Sequence, residues 1–136
     1  MMRVVIDTNC LLVAISLNSP YKWLYEAFMD ESFEWFVSTE ILKEYEEKIG
    51  EFFSSHVAEF VLNSLDNAPN VVFAEPFYRW GRIEADPDDN KFADLALCMN
   101  VDYLVTNDRH FKPVEPPAFP SVCVVNIDEF GLVISR

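Results

Sequence analysis

The sequence predicts an α/β protein with three layers, in which helices cover a central, mainly parallel sheet of four to five strands on both sides. Short β-branched runs alternate with longer segments whose apolar residues recur at helical spacing. The first run, Arg3–Ile6, is almost continuously apolar, which is typical of a strand buried on both faces of a parallel sheet. Gly is scarce and no repeat is present, so residues 1–136 are predicted to form a single domain.

The amino-terminal elements follow from local patterns. After the strand at Arg3–Ile6, residues 10–17 have the composition of a buried helix, which Ser19-Pro20 ends. A second helical pattern follows, with apolar residues at Trp23, Leu24, Ala27 and Phe28. Residues 33–37 then form a short predicted strand.

The middle of the chain predicts two amphipathic helices and a strand. Ser38 or Thr39 is a good N-cap for a helix whose apolar face carries Ile41, Leu42, Tyr45 and Ile49. Glu44 lies beside that face. The next helix is built on Val57, Val61 and Leu65, ends near residues 67–70, and is followed by a brief strand at Val71–Phe73.

The carboxyl-terminal third repeats the alternation of helix and strand. Asp88 is expected to cap a helix that begins at Asp89. The residues of this helix that face the core are expected to be Phe92, Leu95, Ala96 and Met99. Strands at Tyr103–Val105 and 122–125 follow, and a short helical turn at 127–130 completes the predicted fold.

The composition favours a buried core and restricts the partners. Hydrophobic residues make up 51% of the chain, and 10 Lys+Arg against 23 Asp+Glu give a net charge of -13. Such a charge argues against broad attraction to nucleic acid and suits a basic protein partner. Five of the cations nevertheless fall in the stretch that holds two acidic motifs: Arg79, Arg82, Lys91, Arg109 and Lys112.

The cysteines and the amino terminus indicate the compartment. Cys10, Cys98 and Cys123 are widely spaced in mostly apolar surroundings, which is typical of reduced, buried thiols. Asp7 interrupts the apolar stretch after Arg3 before a signal peptide develops, and no other stretch is long enough to cross a bilayer. We therefore expect a cytoplasmic protein that does not contact a membrane.

Four acidic signals indicate the chemistry: Asp7, Glu44, the 86–89 run and Asp108. Asp7 and Asp108 follow predicted strands, and a parallel α/β sheet places its ligand site beyond the carboxyl ends of its strands. Carboxylates repel one another, so their convergence implies a divalent cation, and Mg²⁺ or Mn²⁺ prefers oxygen ligands. Such an ion activates water and neutralises a phosphodiester, which makes a metal-dependent nuclease the leading hypothesis.

Each acid also has an ordinary structural explanation. Asp7 and Asp108 have the residue type of turn acids. Glu44 precedes Lys48 by four residues, and such a helical pair is worth roughly 0.2 to 0.5 kcal/mol. The acids of the 86–89 run would each contribute about 0.3 to 1 kcal/mol at a helix amino terminus, although three acids exceed what a cap needs.

Spacing alone does not decide which acid of the 86–89 run is the metal ligand. Asp86, Asp88 and Asp89 lie so close together in sequence that each is a candidate. Asp94 follows Asp89 by five residues, about 140° around a helix, so both cannot point squarely at one ion. Asp86 and Asp94 are therefore secondary candidates. His56 and His110 are expected to be surface residues.

Taken together, four motifs resemble the PIN domain family, specifically the small bacterial PIN proteins similar to VapC-type toxins. The motifs occur in the expected order and cover most of the chain: VVIDTN at 4–9, VSTEILKE at 37–44, DPDDNKF at 86–92 and YLVTND at 103–108. The resemblance implies a parallel sheet flanked by helices. It also implies metal-dependent cleavage of RNA with Mg²⁺ or Mn²⁺. We expect the substrate to be single-stranded or looped RNA.

The same resemblance implies roles for individual residues and partners. The acidic cluster of the family, which would hold the metal, corresponds to Asp7, Glu44, Asp89 and Asp108 of this sequence. Asn9 and Thr106 correspond to residues that support the cluster. Many members of the family are toxins inhibited by a small antitoxin whose peptide enters the groove, and many form homodimers. An antitoxin partner and a homodimer are therefore expected here.

Two other functions remain open. A binding module of the same fold, whose acidic pocket recognises a basic partner without catalysis, accounts better for the charge of -13. A metal-dependent phosphatase is a weaker alternative, because Asn9 stands two positions after Asp7, where such an enzyme would need a second Asp as its acid–base.

Overall fold

A five-stranded sheet organises the molecule in the computed structural model, which describes residues 1–135. The strands are β1 (Arg3–Ile6), β2 (Glu34–Val37), β3 (Val71–Phe73), β4 (Tyr103–Val105) and β5 (Cys123–Val125). They lie in the order β3-β2-β1-β4-β5, and every neighbouring pair is parallel. The described helices are α1 (Thr8–Ile15), α2 (Lys22–Met29), α3 (Thr39–Phe52), α4 (Ser55–Asn67), α5 (Asn90–Met99) and α6 (Ile127–Ile134). The three-layer α/β/α fold predicted from the sequence is confirmed.

Strand β1 lies at the centre of the sheet and fixes the position of the site. Its last three residues, Val4, Val5 and Ile6, are completely buried. It pairs with β2 on one side and β4 on the other, with Ile6 opposite Val105. The order of the strands reverses between β1 and β4, and in open parallel sheets ligands bind at this switch point, beyond the carboxyl ends of the strands.

Helix α3 is anchored to the sheet by a buried tyrosine. The Ser38 hydroxyl accepts a hydrogen bond from the Ile41 amide and caps the helix, as its position before the apolar pattern predicts. The Tyr45 hydroxyl donates to the Ile6 carbonyl and accepts from Trp35 Nε1 at 3.3 Å. These contacts hold α3 against β1 and β2, and they fix the helix turn that carries the neighbouring residue, Glu44.

The first and last helices differ in extent from the prediction. Helix α1 begins at Thr8 because the Asp7 carbonyl accepts the first backbone amides of the helix, so the chain turns directly from β1 into α1. Helix α6 continues to Ile134 and is not a single turn. Its start is fixed by a capping box, in which Asn126 and Glu129 accept each other's backbone amides.

The acidic 86–89 run adopts a different local structure from the one predicted. Asp88 does not cap α5. Instead, residues Pro87–Asp89 form a 3₁₀ turn whose Asp88 amide is bound by the Asp86 carboxylate at 3.3 Å. Proline suits this position because its fixed φ and missing N–H match the first residue of a helical turn. The Asp88 and Asp89 side chains are thereby left free to contact other groups.

Of the eight aromatic residues between positions 28 and 60, three lie at the surface: Phe52, Phe53 and Phe60. The prediction that all three cysteines are buried is wrong in part. The cysteines are free thiols, but only Cys10 is buried, whereas Cys98 is half-buried and Cys123 is exposed. Cys123 opens β5, an edge strand with a neighbour on one side only. Within residues 1–135, no helix combines the length and the apolar character needed to cross a membrane.

Candidate metal centre

Asp7 lies between the ends of β1 and β4. Only 5% of the residue is exposed, and its Oδ2 accepts a 2.7 Å hydrogen bond from Thr106 Oγ1. Its backbone amide donates to the Val105 carbonyl at 2.9 Å and continues the pairing of the two strands. The Asp7 side chain makes no capping hydrogen bond to α1, so a turn-acid role does not explain it.

Thr106 joins Asp7 to Asp108. Its hydroxyl oxygen, which donates to Asp7, also accepts the Asp108 amide at 3.0 Å. The Asp108 carboxylate in turn accepts the His110 amide at 2.8 Å and starts an unpredicted 3₁₀ helix at Arg109–Val114. Two acids separated by about a hundred residues therefore meet at one end of the sheet.

Glu44 faces the same region, and both of its oxygens have protein partners. Thr8 Oγ1 donates to one carboxylate oxygen, and Lys91 Nζ lies 2.7 Å from the other. Lys48, the partner that helical spacing would provide, instead lies 3.6 Å from Glu51. The structure therefore excludes a Glu44–Lys48 ion pair on the helix surface as the reason for a glutamate at position 44.

Lys91 is the cation closest to the acidic residues. Its Nζ also lies 2.9 Å from Asp88 Oδ1, and only 10% of its side chain is exposed. Burial alone would lower the pKa of Lys91, but the hydrogen bonds to Glu44 and Asp88 outweigh burial and raise it. Lys91 is therefore charged at neutral pH. Its position directly after the third acidic motif is the sequence signal that could have singled it out.

Asp89 carries the least satisfied atom of the site. Its Oδ2 is buried and has no hydrogen-bond partner among the described residues. The pKa of Asp89 is raised to about 8, chiefly by burial and also by the adjacent Asp108 carboxyl and the charges of Asp7 and Asp86. Ionised Asp89 is thus costly unless a cation joins it.

The same effect acts on Asp7. The pKa of Asp7 is raised to about 6, chiefly by burial, and the nearby charges of Glu44 and Asp108 contribute to the rise. The hydrogen bond from Thr106 acts in the opposite direction because it favours the charged form. A buried and a half-buried carboxylate with raised pKa values at one site indicate a site that favours positive charge.

Asp86 and His110 lie at the edge of this cluster. Asp86, Asp89 and His110 each offer one ligand atom, and all three atoms lie within 4.8 Å of one another. His110 Nδ1 is also 3.2 Å from Asp108 Oδ1. The sequence correctly predicted an exposed histidine but missed this contact, for which its position two residues after Asp108 was the available signal.

The remaining candidates lie elsewhere. Asn9 is exposed on the first turn of α1. Asp94 is buried, and its Oδ1 accepts the Trp80 amide at 3.0 Å, which holds the preceding loop to α5. Burial raises the pKa of Asp94, although the Trp80 and Gly81 amides oppose the rise. The described contacts therefore give Asp94 a partner in the loop, on a side of α5 other than that of Asp89.

The other cations near the acidic motifs divide into two groups. Arg79 pairs with Glu40 at 2.9 Å, and Arg82 donates to the carbonyls of loop residues 119 and 120. Arg109 and Lys112 instead line a polar cleft that also contains Asp108. Only the second group is placed to contact an anion bound beside the acids.

The donor set suits a hard divalent cation. Asp7, Asp89 and Asp108 supply carboxylate oxygens, which are the ligands that Mg²⁺ and Mn²⁺ prefer. The Asp89 oxygen without a hydrogen bond and the raised pKa values of Asp7 and Asp89 both favour a positive charge at this position. The residues present therefore fit such an ion.

Comparisons with known proteins agree with the fold. The family model described as PIN domain matches residues 3–110. A chain of VapBC2 from Rickettsia felis, solved bound to a DNA fragment from its promoter, is 18% identical with a TM-score of 0.63 over 92% of this chain and 98% of that chain. A chain of DNA-bound VapBC from Salmonella typhimurium is 19% identical with a TM-score of 0.64, and the match covers 93% and 99% of the two chains. No curated protein sequence is significantly similar.

Proposed function

Because the chain belongs to the PIN domain family, we propose that it is a metal-dependent endoribonuclease that hydrolyses RNA phosphodiesters. The observation that carries the proposal is the buried, unpartnered Oδ2 of Asp89 beside the carboxyl groups of Asp7 and Asp108. PIN domains generally use divalent metals, and this end of the sheet offers the oxygen ligands that one needs.

We assign the ion, Mg²⁺ or Mn²⁺, to the acidic cluster of Asp7, Glu44, Asp89 and Asp108. Within this cluster Glu44 contributes its charge beside the ion, because both of its oxygens already have donors in the protein. When bound, the ion supplies a Lewis acid for the phosphodiester and lowers the pKa of an attacking water. Thr106 orients Asp7, and Thr8 orients Glu44.

The surrounding residues have supporting roles in this proposal. Arg109 and Lys112 line the cleft next to Asp108 and are placed to contact RNA phosphates, which offsets the unfavourable net charge locally. Asn9 and Asp86 are secondary members of the site. Asp94 is the weakest candidate because its carboxylate already binds the Trp80 amide.

The test is cleavage of an RNA panel with Mn²⁺ and with a chelator. We expect cleavage in the presence of Mn²⁺ and none in the presence of the chelator. The cleavage rate of the Asp7→Asn variant should fall on the order of a hundredfold or more, since a metal ion stabilises such a transition state by several kcal/mol. The matched control is Asp66→Asn, which removes an exposed carboxylate on α4. Equal cleavage by Asp7→Asn and Asp66→Asn would reject the assignment.

We further propose that the protein is a toxin paired with a small antitoxin. Both structures reported above come from VapBC complexes. In this protein an apolar groove of about 460 Å³ runs between α1, α2 and α4, and Leu17 and Phe60 at its walls are 87% and 68% exposed. An amphipathic helix with basic flanking residues would match the groove and the net charge of -13.

This partner proposal has its own experiment. The product of the neighbouring reading frame should bind the wild type, inhibit RNA cleavage and lose at least tenfold in affinity for the Phe60→Glu variant. Phe52→Glu is the control, because Phe52 is equally exposed but does not line the groove. Inhibition of the Phe60→Glu variant at wild-type concentrations would place the partner elsewhere.

A second candidate function is a non-catalytic binding module that recognises a basic protein. The net charge of -13 favours it. Calorimetry with an arginine-rich peptide separates the two functions. Tight binding of the peptide, with no RNA cleavage at millimolar Mn²⁺, would favour the binding module.

Two further features belong to the proposal. Residues 1–136 are expected to act as one domain, and two copies are expected to form a homodimer. Limited proteolysis should give no stable smaller fragment. Sedimentation equilibrium should give twice the mass of the chain.

A further inference from the structure

Lys91 is a cation built into the acidic cluster. Its Nζ lies 2.7 Å from Glu44 Oε1 and 2.9 Å from Asp88 Oδ1, and nine-tenths of its side chain is buried. Both distances are those of charge-assisted hydrogen bonds. The ammonium group therefore occupies space between two carboxylates where a metal ion would otherwise be expected.

The acids consequently divide into two sets. Glu44 already has a donor on each oxygen, from Thr8 and from Lys91. Asp89, in contrast, has a buried oxygen without a hydrogen-bond partner among residues 1–135. The nearest cation-forming atom is His110 Nδ1, 4.0 Å from this oxygen, and the Asp108 carboxyl group is adjacent. Lys91 supplies a positive charge to the first set. In the second set the only basic side chain in contact among residues 1–135 is His110, whose Nδ1 lies 3.2 Å from Asp108 Oδ1 and 4.0 Å from Asp89 Oδ2.

We propose that Lys91 takes the place of a second metal ion beside Glu44, so that the protein binds a single divalent ion at Asp89. The Asp89 ligand atom lies within 4.8 Å of those of Asp86 and His110, and the charges of Asp7 and Asp108 act on the same carboxyl group. The inference rests on the proposed metal-dependent function and specifies its metal stoichiometry. A divalent ion at Glu44 would have to displace both the ammonium group and the Thr8 hydroxyl. Glu44 and Lys91 are then positioning residues that form a fixed wall of the ion site.

Counting bound Mn²⁺ tests the proposal directly. Titration of the full chain, followed by the electron paramagnetic resonance signal of free Mn²⁺, should give one bound ion for the wild type. Lys91→Met frees Glu44 and Asp88 and should bind two ions, whereas Lys91→Arg keeps the charge and should bind one. Lys22→Met removes an exposed cation on α2 and should also bind one.

Two outcomes overturn the proposal. One is two ions bound to the wild type, and the other is one ion or none bound to a folded Lys91→Met variant. If Lys91→Met does not fold, Glu44→Gln decides. This variant should still bind one Mn²⁺ with an affinity reduced by less than tenfold, and a larger loss would make Glu44 a direct ligand.

The count is made without RNA, so it is independent of the proposed nuclease activity. A wild type that binds one ion but cleaves no RNA would contradict the nuclease and leave the role of Lys91 intact. A wild type that binds two ions and cleaves RNA would contradict the proposed role of Lys91 and support the nuclease.

Discussion

Thr106 Oγ1 donates a 2.7 Å hydrogen bond to Asp7 Oδ2, although 99 positions separate the two residues in the chain. The bond forms because β1 and β4 are parallel neighbours whose carboxyl ends meet, with Ile6 opposite Val105. It opposes the rise that burial causes in the pKa of Asp7. Thr106 therefore helps to keep a buried carboxylate available for a cation.

Replacing Thr106 tests that role. In Thr106→Val, Asp7 loses a donor to a charged group, a bond typically worth about 1.5 to 3 kcal/mol, so Mn²⁺ affinity at pH 7 should fall by about tenfold or more. Thr106→Ser retains the hydroxyl and should bind Mn²⁺ as the wild type does. Calorimetry measures both. Indistinguishable affinities for the Val and Ser variants would show that the hydroxyl does not prepare Asp7.

Mn²⁺ binding should depend steeply on pH. With the pKa of Asp89 near 8 and that of Asp7 near 6, the ion must displace a proton from Asp89 below pH 8 and a second from Asp7 below pH 6. The apparent dissociation constant should therefore fall by about tenfold from pH 6.5 to pH 7.5. Calorimetry in buffers of different ionisation enthalpy would also detect the released proton. A flat profile between these pH values would contradict the raised pKa values.

Asp89 should also make the metal-free protein less stable at higher pH. Its pKa is raised in the folded state, so the folded protein binds this proton more tightly than the unfolded chain. The stabilisation of the folded state by this proton is fully present below about pH 4. It is lost as pH rises to about 8, by about 1 kcal/mol of unfolding free energy per pH unit. In Asp89→Asn this loss should disappear, so the variant gains stability over the wild type between pH 5 and pH 8.

Urea denaturation with a chelator measures this difference. Groups distant from Asp89 titrate alike in the two proteins, so their contributions cancel. The neighbouring carboxyl groups of Asp7, Asp86 and Asp108 interact with Asp89, and their response is part of the measured difference. Asp66→Asn, which lacks an exposed carboxylate, should keep the slope of the wild type. A constant difference between wild type and Asp89→Asn across this pH range would contradict the assignment.

The fold was largely predictable because each element carries its own local signal. The apolar run ending at Ile6 identifies β1, and Ser38 before an apolar periodicity identifies α3. The extent of a helix depends on non-local or capping contacts. Residues Ile127–Ile134 form two turns because of a capping box and packing, neither of which the short apolar pattern specified.

The acidic residues were predictable as members of one site, but their individual environments were not. Asp7 and Asp108 follow parallel strands, so their proximity follows from topology. The pairing of Glu44 with Lys91, 47 residues away, depends on how α3 and α5 pack. From the sequence, the expected partner of Glu44 was Lys48 on the same helix. Only the tertiary structure shows that Lys91 pairs with Glu44.

The buried hydroxyl of Tyr45 should contribute strongly to stability. It donates to the Ile6 carbonyl and accepts from Trp35 Nε1, so Tyr45→Phe leaves two buried groups without a partner and should cost about 1 to 3 kcal/mol. Tyr25→Phe is the matched control. The Tyr25 hydroxyl is buried without a hydrogen-bond partner among residues 1–135, so its removal should be neutral or slightly stabilising. Urea denaturation of both variants measures the contrast, and equal losses would mean that hydroxyl burial alone, not the bonds to β1 and β2, determines the effect.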